Sequence, residues 1–239
     1  MPAPHQPHQT FGQEPPPADW QAQLTAVAQR YNREYQGEAI ELPPEATSLS
    51  LYADWKTNLL APRLASPFWA LAQPQKKQVC LDLGCGVSFL IYPWRDWGAF
   101  FYGQDISVVA QEALNRRAPQ LNSKLFKGVR LQPAHQLEYA PAQFDWAIAT
   151  GVSCYYPLDY WEAVMAAVKT VLKPTGYFVF DVLNPEAPLA EDWAILETYL
   201  GAEVQLDSLE DWERLIKQAG GKIVSRQSGE VFELYKVRL

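Results

Sequence analysis

Apolar residues recur along the chain in two patterns, one typical of helices and one typical of extended strands. Over residues 19–36 they return every three or four positions, which predicts an amphipathic helix that ends before Gly37. The same spacing predicts further helices over residues 48–60 and 64–72. The chain is therefore expected to begin its folded part with a helical segment, residues 19–72, ahead of the first strand.

From residue 78 onward, short apolar runs alternate with helical patterns. Five runs are predicted to be strands, and they cover residues 78–83, 99–103, 129–131, 144–151 and 177–183. The helical patterns cover residues 88–96, 108–117, 158–172, 190–200 and 208–219. Two last runs, residues 222–226 and 231–238, are joined by a short turn and predict a hairpin. Strands that alternate with helices are typical of an α/β fold with a mostly parallel sheet.

The first predicted strand leads directly into a glycine turn. Asp82 lies within the strand, and Gly84, Cys85 and Gly86 follow it before the next helix begins. Glycines let the backbone approach a ligand closely, and the free N–H groups at a helix N-terminus face that ligand. This stretch therefore predicts a site for a nucleotide-like molecule.

A second acidic residue follows the second strand. Asp105 stands about 20 residues beyond the glycine turn, where a carboxylate accepts hydrogen bonds from both hydroxyls of a ribose. The alternative role is to cap the helix that follows. Ser107 already fits the N-cap position of that helix, so the ribose-binding role is favoured.

These two stretches together resemble motifs I and II of the class I S-adenosylmethionine-dependent methyltransferases. Ser88 stands where the family usually has its third small residue, and the Phe144-Asp145 pair resembles the start of motif IV. The resemblance covers residues 60–239. It implies a three-layer α/β/α sandwich with a seven-stranded, mostly parallel sheet, an antiparallel last strand and a helical N-terminal cap. It also implies S-adenosyl-L-methionine as the cofactor.

The resemblance assigns cofactor contacts to residues at the strand ends. The implied cofactor-binding residues are Asp82, Gly84, Cys85, Gly86, Asp105, Ile106, Ala134, His135 and Thr150. After the third strand, Pro133 replaces the acid that the family often shows. The adenine contact is then expected from the backbone of Ala134 or from the ring of His135, and a surface histidine is the alternative.

The catalytic residues stay unknown at this level, because the cofactor carries its own reactive methyl group. The protein mainly has to align the substrate and exclude water. Tyr155, Tyr156 and His135 are the candidate polar groups. By analogy with family caps, Tyr52 and Trp55 are candidates to wall the pocket, with packing on the sheet as the alternative.

Two narrower activities and one other class are disfavoured by particular residues. Methyltransferases that act on DNA bases or on protein glutamine usually carry an Asn-Pro-Pro-Tyr-like motif after the fourth strand. This chain has the sequence TGVSCYYP at that place. Metal-dependent members need an acid at that strand's tip, but Thr150 stands there, so no metal is expected. A dinucleotide fingerprint needs glycine or alanine where Phe89 stands. The expected substrate is a small molecule or a peptide side chain, and the alternative is a catalytically silent S-adenosylmethionine-binding scaffold or partner-regulating protein.

Composition and charge limit the domain organisation, the possible partners and the cellular compartment. The 239 residues are predicted to divide into a disordered proline-rich tail (1–18), the helical cap (19–72) and a methyltransferase domain (73–239). A net charge of −7 argues against a nucleic-acid partner. Three cysteines without a spacing pattern favour reduced thiols in the cytoplasm, and neither a membrane span nor a signal peptide is expected. The oligomeric state is left open.

Overall fold

The structure is a computed structural model that describes residues 18–239. These residues form one seven-stranded sheet flanked by helices. The predicted disordered tail therefore lies outside the described residues, except for its last position. The strands are β1 (Val79–Leu83), β2 (Phe100–Asp105), β3 (Phe126–Leu131), β4 (Phe144–Ala149), β5 (Leu172–Leu183), β6 (Lys222–Ser228) and β7 (Phe232–Arg238). Their order is β3-β2-β1-β4-β5-β7-β6, and β7 runs antiparallel to both of its neighbours. The predicted fold class is confirmed.

The helices cover both faces of this sheet. They are α1 (Ala18–Gln36), α2 (Pro44–Thr47), α3 (Tyr52–Lys56), α4 (Leu60–Leu71), α5 (Ser88–Ile91), α6 (Trp94–Trp97), α7 (Val108–Asn122), α8 (Leu158–Val171), α9 (Ala190–Leu200) and α10 (Leu209–Gln218). A short 3₁₀ helix, Ser153–Tyr155, follows β4. The connections from β1 to β2 and from β4 to β5 lead in opposite directions along the sheet. Because crossovers between parallel strands are nearly always right-handed, the connecting helices lie on opposite faces.

Aromatic side chains fill the two layers between the sheet and the helices. On one face, the Trp69 ring of α4 packs 5.7 Å from the Trp94 ring of α6, measured between centroids. On the other face, Trp161 of α8 lies 5.8 Å from Trp212 of α10 and stacks 6.1 Å from Phe180 of β5. Trp161 is fully buried, so these contacts join the helical layer to the strands.

The glycine turn is positioned by the strands on either side of β1. The register pairs Leu83 with Gln104 of β2 and with Ala149 of β4, so the three strands end at one edge. Ligands bind at this edge in open parallel sheets, where the strand order reverses direction. Phe89, which excludes the dinucleotide fingerprint, is buried and packs 5.1 Å from Phe101.

Several predicted elements have different bounds in the structure. The predicted helix over residues 48–60 is only α3, because Asn58 adopts a left-handed backbone (φ 59°) that ends the helix. The helix predicted over residues 88–96 is split into α5 and α6 at Pro93, which cannot continue a helix. The strand predicted over residues 177–183 begins earlier, at Leu172 of β5, and its pairing with β4 shifts register near that end.

Candidate functional site

A cavity of about 520 Å³ lies at the carboxyl ends of β1, β2 and β4. Its lining includes seven of the predicted cofactor contacts, namely Asp82, Gly84, Cys85, Gly86, Asp105, Ile106 and Thr150. Tyr155 and Tyr156, two of the candidate polar groups, also line it. The volume is within the usual range for small-molecule sites, which is about 300–1,000 Å³.

The glycine turn and the β2 acid are in direct contact. The Gly86 N–H donates to the Asp105 carboxylate at 2.7 Å, and the Ser107 N–H donates to the other oxygen at 2.7 Å. A carboxylate offers about four lone-pair positions, so Asp105 keeps capacity for two more donors. Burial raises the pKa of Asp105, although these backbone N–H bonds oppose the rise.

Three further groups in the cavity are suited to a polar ligand. Thr150 Oγ1 is buried and has no hydrogen-bond partner within residues 18–239. Asp82 accepts a hydrogen bond from Ser88 Oγ at 2.5 Å, and burial raises the pKa of this carboxyl to about 7. Asp181 of β5 accepts the Gly151 N–H at 2.8 Å, and burial raises its pKa to about 7 as well.

The first helix covers the turn from outside the sheet. Asn32 Oδ1 accepts from Ser107 Oγ at 2.7 Å, which fastens α1 to the loop after β2. Tyr35 then lies over the turn, since a Cβ added to Gly86 would fall 2.2 Å from the Tyr35 hydroxyl. Trp55 also lines the cavity, as the cap analogy predicts. Tyr52 is not among the lining residues, and its ring packs 6.0 Å from that of Trp55.

Ala134 and His135 are placed away from the cavity lining. The Ala134 N–H donates to the Tyr160 hydroxyl at 3.1 Å. The His135 ring packs edge-on between Trp20, at 5.5 Å, and Tyr160, at 5.1 Å. This half-buried position lowers the pKa of His135. Their assignment as adenine contacts stays a prediction.

The sequence patterns missed a buried charged cluster at the far side of the cavity. Arg30 of α1 binds Glu197 of α9 with two hydrogen bonds of 2.8 Å, and it also contacts Glu34. The Tyr155 hydroxyl donates to Glu197 at 2.9 Å, and the Tyr31 hydroxyl lies 2.8 Å from that of Tyr155. The signal was present: Arg30 adjoins the apolar face of one predicted helix, and Glu197 that of another.

Other candidate chemistry is limited. Cys80, Cys85 and Cys154 are free thiols, and burial raises the pKa of each, so none has the character of a nucleophile. Within residues 18–239, no group of three or more His, Cys, Asp or Glu side chains is arranged to hold a metal ion. No helix in that part of the chain is long and apolar enough to cross a bilayer.

A change at Gly84 tests whether the turn is as tightly packed as the structure shows. Gly84 has φ 63°, and an added Cβ would lie 2.4 Å from Val152 Cγ2. Gly37 has φ 72°, but no described atom lies within 4 Å of its added Cβ. We expect Gly84→Ala to destabilise the fold by about 1–3 kcal/mol more than Gly37→Ala, because only the former overpacks a neighbour. Urea unfolding measures the difference, and equal losses would contradict the packing.

The buried carboxyls predict how stability depends on pH. Burial raises the pKa of these carboxyls in the folded state above its value in the unfolded state. Their contribution to stability is therefore largest at low pH, where they are protonated in both states, and smallest at high pH, where they are ionised in both. Stability is therefore expected to fall as pH rises from about 4 to about 7 and to level off above, with Asp181 contributing up to roughly 4 kcal/mol. Asp181→Asn should make this decline shallower, as measured by urea unfolding at several pH values. The control is Asp96→Asn, at an exposed position, and an unchanged slope in Asp181→Asn would overturn the prediction.

Comparison with known proteins agrees with this geometry. Residues 81–180 match the family model described as a methyltransferase domain. Over 170 residues the chain is 29% identical to the biotin biosynthesis bifunctional protein BioHC of Saccharophagus degradans. That match covers 67% of this chain, which spans only 28% of the length of that curated relative.

Two solved structures share the fold. One is the geranyl diphosphate C-methyltransferase of Streptomyces coelicolor A3(2), in complex with Mg²⁺, geranyl diphosphate and S-adenosyl-L-homocysteine. It is 16% identical, with a TM-score of 0.65 over 93% of this chain and 100% of that one. The other is the magnesium protoporphyrin IX methyltransferase of Synechocystis PCC 6803 with bound S-adenosyl-L-homocysteine. It is also 16% identical, with a TM-score of 0.58 over 90% of this chain and 98% of that one.

Proposed function

We propose that this chain is a class I S-adenosylmethionine-dependent methyltransferase and that its cavity binds S-adenosyl-L-methionine for methyl transfer to a small organic molecule. The observation that carries the proposal is the direct contact between the glycine turn and the β2 acid. The 2.7 Å bond from the Gly86 N–H fixes the Asp105 carboxylate beside the turn. Asp105 would hold the ribose hydroxyls, and the turn would accommodate the rest of the nucleoside.

The charge of the cavity fits the same cofactor. Five carboxyls line it, those of Glu34, Asp82, Asp105, Asp181 and Glu197, against the single guanidinium of Arg30 among the described lining residues. S-adenosyl-L-methionine supplies an electrophilic methyl group on a positively charged sulfur. A net negative lining favours a cationic ligand, and the Asp82 and Thr150 side chains would receive its polar amino-acid end.

The size and cover of the cavity favour a small molecule over a peptide. Helices α1, α3 and α4 all contribute lining residues, so the site is covered by the N-terminal cap rather than open along the sheet edge. The lining of the same cavity continues past the glycine turn to Tyr31, Trp193 and Phe232. We assign this part of the cavity, the second compartment, to a substrate. That second space argues against the silent scaffold.

The three free cysteines fit a reducing compartment, and we place the protein in the cytoplasm.

Isothermal titration calorimetry with three ligands tests this function. We expect S-adenosyl-L-methionine and S-adenosyl-L-homocysteine to bind with one-to-one stoichiometry, and NAD to give no measurable heat of binding. Binding of NAD with comparable affinity, or of neither adenosyl ligand, would contradict the proposal. A protein that binds S-adenosyl-L-methionine but forms no S-adenosyl-L-homocysteine with any candidate acceptor would instead support the silent scaffold.

A further inference from the structure

We propose that the second compartment selects an apolar acceptor substrate that carries no negative charge and that donates a hydrogen bond, through a hydroxyl or an amine, to the Tyr31 hydroxyl oxygen. The inference rests on the proposed function, which it deepens by naming the substrate class. It follows from the direction of four hydrogen bonds and from the charges that surround them.

The hydrogen-bond chain has only one possible direction. Both carboxylate oxygens of Glu197 accept a hydrogen bond from the Arg30 guanidinium, so in this ion pair Glu197 can only accept. The 2.9 Å bond from Tyr155 to Glu197 therefore uses the one hydroxyl proton that Tyr155 has. Tyr155 can then only accept from Tyr31, at 2.8 Å.

Tyr31 is left as a pure acceptor. Its single hydroxyl proton is used toward Tyr155, while its oxygen keeps a lone pair free. Tyr31 lines the cavity and is only half-buried, whereas Tyr155 is 1% exposed. Burial raises the pKa of both phenols, so both stay protonated and the direction persists at neutral pH. A ligand that meets Tyr31 must therefore donate.

Charge complementarity excludes an anionic substrate from the same space. Arg30 is the one cation among the described lining residues, and its guanidinium already binds Glu197 and Glu34. A carboxylate or phosphate would face these two acids without a free cation to receive it. Like charges that are brought together in a site with little water are strongly disfavoured.

The remaining lining of this compartment is largely apolar. Side chains of the cap and of the strand ends supply it, namely Trp55, Leu60, Leu64, Trp193 and Phe232. Apolar walls with a few fixed polar groups are the usual form of a small-molecule site, in which the polar groups set orientation. Here one such fixed group is the Tyr31 oxygen.

A matched set of naphthalene probes tests the inference by calorimetry on protein saturated with S-adenosyl-L-homocysteine. The probes are 2-naphthol and 2-naphthylmethylamine, which donate; 2-acetylnaphthalene, which only accepts; and 2-naphthoate, which is anionic. We expect 2-naphthol to bind about five- to tenfold more tightly than 2-acetylnaphthalene, because it can donate the hydrogen bond that Tyr31 accepts. The amine is protonated at neutral pH and should bind at least as tightly as 2-naphthol, because the lining is net negative. 2-Naphthoate should bind most weakly. Tight binding of 2-naphthoate, or equal binding of 2-naphthol and 2-acetylnaphthalene, would overturn the inference, as would a failure of every probe to bind.

Two variants separate this role from simple packing. Tyr31→Phe should abolish the preference for 2-naphthol over 2-acetylnaphthalene. Tyr155→Phe should reverse it, because the Tyr31 proton becomes free to donate to a ketone. Tyr52→Phe, outside the cavity lining, is the matched control and should keep the wild-type preference. An unaltered preference in Tyr155→Phe would contradict the proposed direction of the hydrogen bonds from Tyr31 to Tyr155 and from Tyr155 to Glu197.

The same titrations keep the two proposals distinguishable. Binding of S-adenosyl-L-homocysteine is measured first and tests the proposed function alone. If it fails, the probe series on the protein without this ligand still reports whether the compartment prefers donors. If it succeeds while the probes show no preference, only the inference about Tyr31 is lost.

Discussion

Replacing Arg30 with methionine is expected to lower the free energy of unfolding by about 3–5 kcal/mol, as measured by urea denaturation. The Arg30 and Glu197 side chains are 3% and 1% exposed, and two 2.8 Å hydrogen bonds join them. Without the guanidinium, Glu197 stays buried with only the Tyr155 hydroxyl as a partner. The cost is that of an uncompensated buried charge.

Two controls isolate that cause. Arg30→Met combined with Glu197→Met should recover most of the lost stability, because well-packed apolar residues replace a buried ion pair at little cost. Arg63→Met removes a comparable pair with Glu230, joined at 2.8 Å but with both side chains 40% or more exposed, and it should change stability far less. If the double variant is less stable than Arg30→Met, the charge argument fails.

Replacing Asp105 with alanine is expected to weaken the binding of S-adenosyl-L-homocysteine by roughly ten- to a hundredfold in calorimetry. Hydrogen bonds to a charged acceptor contribute about 1.5–3 kcal/mol, and the proposal assigns the ribose hydroxyls to this carboxylate. Asp105 also accepts the Gly86 and Ser107 N–H groups, so the turn loses its anchor in the same variant.

Asp105→Asn separates these two effects. The asparagine keeps an oxygen that can accept a backbone N–H, but it loses the charge and half of the acceptor positions. We expect affinity between that of wild type and Asp105→Ala, with unfolding close to wild type. Asp96→Ala, at an exposed position outside the cavity lining, is the control and should not alter affinity. Unchanged affinity in Asp105→Ala would show that the ribose lies elsewhere.

The sequence was sufficient to predict the strand end of the site. Gly84 and Gly86 have φ angles of 63° and 47°, which only glycine adopts readily. The residue type itself therefore predicts their place in the turn. Asp105 follows from the parallel arrangement of β1 and β2, which brings both strand ends to one edge. Ser107 caps α7 as predicted, with its hydroxyl accepting from Ala110 at 3.1 Å.

The far side of the cavity could not be derived in the same way. Periodicity identifies the buried face of α1 and of α9, but it does not say that the two faces meet. Arg30 and Glu197 are 167 positions apart, and their pairing depends on how the cap lies over the sheet. A positive φ at Asn58, which ends α3 early, also depends on packing rather than on residue type alone.

A crystal structure of the protein with S-adenosyl-L-homocysteine would show directly where the ribose binds. We expect the adenosyl ribose between the Gly84–Gly86 turn and the Asp105 carboxylate, with both of its hydroxyls within about 3 Å of the Asp105 oxygens. A ligand bound elsewhere, or a Tyr35 side chain that still fills the space over Gly86 while the ribose lies outside the crevice, would contradict this expectation.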